Sequence, residues 1–199
     1  MVVNCQTVSA AYDDCFYVET PNRVCGLRVN WTGGQVSRDR LVTVSGTMAT
    51  TAAGERFIAA TNVMDRGTGS VSTLAMSSRS VGAGQGLSTT GLLVTVFGKC
   101  VGVDLLPNPT NLLCPFWIDD GCGVDGGTRY DTGELVTGLR VYYGLSTAPY
   151  TPGDYLLVTG VAGVEINDPT PEQPASGDER VIRVIYVRSD ADVVNLGAQ

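Results

Sequence analysis

The feature that most constrains this chain is that much of it is written twice. VNCQTVSAAY (Val3 to Tyr12) has a counterpart in VFGKCVGVD (Val96 to Asp104). CFYVETPNRVCGLRV (Cys15 to Val29) is matched by CPFWIDDGCGV (Cys114 to Val124), with GLRV following at Gly138 to Val141. RLVTVSGTMA (Arg40 to Ala49) aligns with YLLVTGVAGV (Tyr155 to Val164), and GERFIAATNV (Gly54 to Val63) with DERVIRVIYV (Asp178 to Val187). Kept in one order, these segments predict two tandem copies of one small unit.

Each copy reads as strands. Gly is frequent at 25 residues, Val and Thr are abundant, and long Ala/Leu/Glu/Lys runs are missing, which favours strands and turns over helices. In each copy the first strand alternates Val with polar residues. The second is short and aromatic (Phe16, Tyr17, Val18; then Phe116, Trp117, Ile118), and the third is GLRV. The fourth is interrupted at Ser45-Gly46 and Thr159-Gly160, and Gly98 interrupts the first strand of the second copy; glycines inside strands mark bulges or bends. The fifth follows Glu-Arg.

A five-stranded unit with glycine-bent first and fourth strands resembles the oligonucleotide/oligosaccharide-binding (OB) barrel. GERFI, FWIDDG and GLRV are similar to wording in the tandem OB-type domains of large secreted bacterial proteins. The resemblance implies an all-β fold of two tandem five-stranded OB-like barrels with little helix. The helix usual between strands three and four is replaced here by loops, WTGGQVSRD and YYGLSTAPYTPGD. The expected division is a first β domain over 1–66 with a shortened first strand, a Gly/Ser-rich linker over 67–90, and a second β domain over 91–199. Because the linker holds Val71, Leu74, Met76 and Val81, it is expected to lie against a domain rather than act as a free spacer. INDPTPEQPASGD (Ile166 to Asp178) reads as an exposed loop between strands four and five, and TPEQPAS within it as a compositional candidate for O-linked sugar.

The chemistry-bearing residues are few. The net charge of −7, with 12 Arg and one Lys (Lys99), disfavours binding to a phosphate backbone. There is no His, so the commonest general base and metal ligand is missing, and no G-x-S-x-G or G-K-[ST] occurs. Asp119, Asp120, Asp125, Asp131 and Glu134 sit in a Gly-rich stretch whose spacing fails the EF-hand pattern; it reads as a solvated turn. No catalytic residue, metal site or cofactor is expected, and the chain reads as a non-enzyme. No run of about 18 apolar residues is present that would span a bilayer.

The six cysteines form no C-x-x-C pair and predict a disulfide framework outside the cytoplasm. No signal peptide is visible after Met1, so the chain is expected to be a mature or partial form. Each copy holds three cysteines: Cys5, Cys15 and Cys25, then Cys100, Cys114 and Cys122. Cys5–Cys25 and Cys100–Cys122 are the favoured pairs, leaving Cys15 and Cys114 for other bridges. Asn30-Trp31-Thr32 is an N-linked glycosylation sequon. Tyr17, Trp117, Tyr142 and Tyr143 are candidates for stacking a ligand on strands two and three.

These features lead to an expected structural subunit of an extracellular or cell-surface fibre. Copies of the chain would join head to tail by strand addition and disulfides, with glycan decoration. The C-terminal run DVVNLGAQ would serve a neighbour. The alternative expectation is a secreted carbohydrate-binding module using the aromatic face of strand two.

Overall fold

The structure, a computed structural model, describes residues 1–82, 88–108, 113–144, 149–167 and 180–198. The chain is all-β. Strands β1 (Val2–Ala11), β2 (Cys15–Glu19), β3 (Gly26–Asn30), β4 (Arg40–Thr50) and β5 (Arg56–Thr68) close into a barrel in the order β1-β2-β3-β5-β4. β3 runs parallel to β5 and every other pairing is antiparallel. Alternation sets the core: Phe16 and Val18 face inward with Val8, Val29, Val42, Val44 and Ile58, while Tyr17 faces out between them. Burial of such side chains from water, at about 1.5–3 kcal/mol each, drives the closure.

The break expected at Ser45-Gly46 is a register shift in the β4–β5 ladder. It requires glycine, because a Cβ on Gly46 would lie 2.2 Å from the Ala59 carbonyl oxygen. The first strand, by contrast, is not short. β1 has 10 residues and closes the barrel through both β2 and β4, with Cys5 at φ 49 where the β1–β4 register shifts. That local bulge lets a polar-rich start continue as strand.

The second copy contributes β6 (Leu74–Ala75), β7 (Leu93–Val103), β8 (Cys114–Asp119), β9 (Asp125–Thr128), β10 (Leu135–Thr137), β11 (Leu139–Tyr143), β12 (Asp154–Asn167), β13 (Arg180–Val187) and β14 (Val193–Ala198). Its main sheet has seven strands in the order β14-β12-β13-β11-β8-β7-β6, and β12 also pairs with β7. Five of its strands repeat the first barrel's pairings in order and sense, including a parallel β11–β13 pair.

Three features depart from expectation. The acidic stretch after β8 is more than a turn, because β9 and β10 form a two-stranded hairpin. The C-terminal run is β14, paired to β12 of its own chain. Gly98 lies in an unbroken β7–β12 ladder, and the register shift falls between Cys100 and Gly102. A Cβ on Gly98 would come within 3.1 Å of the Asp119 backbone, so this glycine serves close approach rather than a bend.

The expected absence of helix between strands three and four holds over residues 31–39; residues 145–148 of the second loop lie outside the described residues, as does most of the 166–178 loop. Among the described residues helix is confined to 3-10 turns at Ser78–Ser80 and Asp190–Asp192, and no helix is long and apolar enough to cross a membrane.

The connector packs onto the second unit. Val81 is buried in its core, Met76 packs beside it, and β6 pairs with β7. The units meet across Ala10, Cys15, Tyr17, Leu93 and Val161. Tyr12 OH donates to the Tyr186 carbonyl at 2.9 Å, and Arg188 Nη1 to the Ser9 carbonyl at 3.1 Å. At this junction two backbones touch: a Cβ on Gly26 would lie 2.1 Å from the Gly91 carbonyl carbon.

Candidate assembly surface

The ladder registers make the two copies superimposable residue by residue. With Ser45-Gly46 aligned on Thr159-Gly160, the far half of β5 and β14 occupy the same place: Val63, Met64, Asp65, Arg66 and Gly67 correspond to Val193, Val194, Asn195, Leu196 and Gly197. The local geometry is shared. Asp65 Oδ1 accepts the Gly67 N–H at 2.8 Å and Asn195 Oδ1 accepts the Gly197 N–H at 2.8 Å, both glycines having positive φ. Chemistry is where they part. β5 carries Asp65 and Arg66 here, with Arg40 Nη2 2.6 Å from Asp65 Oδ2. β14 carries no charge between Val193 and Ala198.

β14 is the terminal strand of its sheet, and among the described residues no strand pairs with its outer edge. Its outward side chains continue an apolar row across three strands. Leu157 faces Val194 on one side and Phe97 on the other, and the Phe97 ring stacks on Tyr155 with centroids 5.7 Å apart. Phe97, Leu157, Val194 and Leu196 are 47, 37, 46 and 54% exposed. An uncharged edge beside exposed apolar side chains is a template for another strand.

The aromatic stacking candidates lie elsewhere and are closed off. Tyr17, Trp117, Tyr142 and Tyr143 are all buried, which corrects the expectation of an open aromatic face. Tyr17 is covered by the junction and donates its hydroxyl to Glu55 Oε1. Trp117 and Tyr142 belong to a network around Arg140, an arginine that is itself fully buried. Its Nη1 contacts Glu165 Oε1 at 2.6 Å, its Nε donates to the Gly126 carbonyl, and its Nη2 donates to Thr128 O and Asn167 Oδ1. The guanidinium lies 5.4 Å from the Trp117 ring centroid. β9 thus lies over this face and supplies two carbonyl acceptors, while Glu165 on β12 supplies the counter-charge. Burial pushes the Glu165 carboxyl above its ordinary range, against the pull of Arg140. Arg28, at the matching position, has looser partners: Asn30 Oδ1 at 2.8 Å, Glu55 at 3.7 Å and Asp14 at 3.8 Å.

The acidic residues are turn-formers. Asp119 Oδ1 accepts from the N–H of Gly121 and Gly123, Asp120 from Ser78 and Cys122, and Asp125 from Gly127. Asn30 ends strand β3 and is half-buried, rather than standing on an exposed loop, although its amide nitrogen is not the atom that binds Arg28. Cys5, Cys15, Cys25, Cys100 and Cys122 carry free thiols, so neither favoured disulfide is formed in this structure. Cys5 lies in β1 and Cys25 immediately precedes β3, the two strands that flank β2, and they are not bonded to each other. Cys100 and Cys122 share one core cluster. Cys15 and Cys114, left over to pair within the chain, to pair across two chains or to stay free, are buried at the first positions of β2 and β8; the exposed thiols are Cys5 and Cys25.

Glu19 was not singled out by sequence reasoning, yet it joins the units. Its Oε1 accepts the Leu93 N–H, and the carboxylate is buried. Burial raises its pKa to about 7, outweighing that N–H and the charges of Arg23 and Arg188. No protein-family model matches this chain, and no curated protein matches it either.

Proposed function

We propose that the protein is a structural subunit of an extracellular fibre or surface assembly, built of two OB-like barrels and joined head to tail by strand addition. The observation that carries this reading is β14: an uncharged sheet edge, unpaired among the described residues and flanked by Phe97, Leu157, Val194 and Leu196 on an open face. The strand pairings of both copies support the OB likeness, since in each the third strand runs parallel to the fifth and the fourth closes on the first. Disulfides between copies would draw on Cys5 and Cys25, which are exposed. Glycan would attach at Asn30.

The reading is tested by size-exclusion chromatography and negative-stain imaging of the whole chain against Val194→Asp/Leu196→Asp. Expected are oligomers or fibres for the parent and at least about tenfold weaker association for the variant, since charges on an edge oppose pairing. A parent that stays monomeric at high concentration, under reducing and oxidising conditions alike, overturns it.

A further inference from the structure

The second barrel shows what strand one takes on its outer side. β6 lies parallel to β7 at Val94 and Thr95, and the Met76 N–H donates to the Thr95 carbonyl at 3.0 Å. Met76 and Val81 then pack into the core cluster that holds Val96, Ile118, Leu139 and Ala162. By ladder register Val2 stands where Thr95 stands, and Val3, Val18, Leu27 and Met48 correspond to those four core residues.

Among the described residues, no segment fills that place in the first barrel. β2 begins to pair with β1 only at Thr7, and among the described residues no strand lies along β1 on that side before it. Met1, Val3, Val18, Val24, Leu27 and Met48 line a mainly apolar groove of about 720 Å3 instead. Of these, Met1 and Val24 are 56 and 72% exposed.

Resting on the assembly reading above, we propose that this groove receives β14 of a second copy. The β14 edge pairs with β1 at Val2, and Val194 and Leu196 take the place that Met76 and Val81 hold in the second barrel. Three observations favour this occupant. The matching half of β5 is guarded by Asp65 and Arg66, whereas β14 is uncharged and carries exposed apolar side chains. Two branched apolar side chains replace two apolar side chains, so the demand for volume is alike. Donor and acceptor are different surfaces of one chain, so each copy keeps one of each free to pass the contact on to the next copy.

Cys25 also lines the groove and is exposed, which supplies the probe. Leu196→Cys, introduced into the whole chain and mildly oxidised, is expected to give a ladder of oligomers. Peptide mass spectrometry should find Cys25 of one copy bonded to the introduced thiol of the next. Val24→Asp, at an exposed position that the fold tolerates, is expected to weaken association at least about tenfold while leaving the circular dichroism spectrum unchanged. Assemblies that form without the Cys25 cross-link and ignore Val24→Asp overturn the groove assignment while leaving assembly through β14 standing. Monomers throughout overturn both.

Discussion

The far half of β5 and strand β14 occupy equivalent places in the two units, hold the same turn geometry, and face solvent with opposite chemistry. One reads Met64-Asp65-Arg66-Gly67 and the other Val194-Asn195-Leu196-Gly197. Backbone geometry survived the divergence because it depends on a short polar side chain hydrogen-bonding two residues ahead to a glycine at positive φ. The outward surface was free to change. The same contrast recurs around the third-strand arginines: Arg140 is enclosed by a hairpin, and Arg28 is left with distant carboxylates. Equivalent positions in a duplicated fold thus share what the fold requires and differ in what they meet outside it.

The comparison breaks most sharply at the arginines. Arg140→Ala leaves Glu165 buried without its cation and should cost about 3–5 kcal/mol in chemical denaturation, whereas Arg28→Ala should cost markedly less. Equal losses would mean that the hairpin adds nothing.

The junction carboxylate comes next. A folded-state pKa raised to about 7 from the ordinary 4.5 means that the folded form prefers Glu19 protonated. The stability this gives is fully present below pH 4.5 and is lost as pH rises through 7. The parent should therefore lose about 3 kcal/mol over that window relative to Glu19→Gln, an order-of-magnitude figure, measured by denaturant titration at several pH values.

Exchanging the edges tests the surface contrast itself. Leu196→Arg should weaken self-association about tenfold, and Arg66→Leu should create a new association, both read by analytical ultracentrifugation with little change in melting temperature. The smallest effect is expected for Asp65→Asn, whose ion pair with Arg40 lies in water; the melting temperature should not move measurably.

Much of the fold was legible in the sequence because it rests on local signals. Alternation in FYV and FWI placed the second strands, and Ser45-Gly46 marked a true register shift. What the sequence hid were relations between distant segments. The length of β1 depends on a bulge at Cys5 that no local pattern announces. The hairpin β9–β10 is held by Arg140, Asn167 and Trp117, three residues from separate strands. Arg140 could have been suspected, since GLRV puts an arginine inside an apolar strand twice. Tyr17 and Trp117 are buried because their outward faces meet the next segment of the chain, the other unit for Tyr17 and the hairpin for Trp117, whereas Tyr143 points into the core. The edge role of β14 became visible only once its partner β12 was known.

The contact between Gly26 and Gly91 has a mechanical consequence. Two backbones in van der Waals contact, each unable to accept even a methyl group, leave no compressible layer between the barrels. With the Tyr12, Glu19 and Arg188 hydrogen bonds around it, the junction acts as a clamped joint rather than a hinge. Any object built from many copies of this chain would therefore take its stiffness from within each subunit and its bending from the contacts between them. Gly26→Ala would act as a wedge, altering curvature before it altered strength.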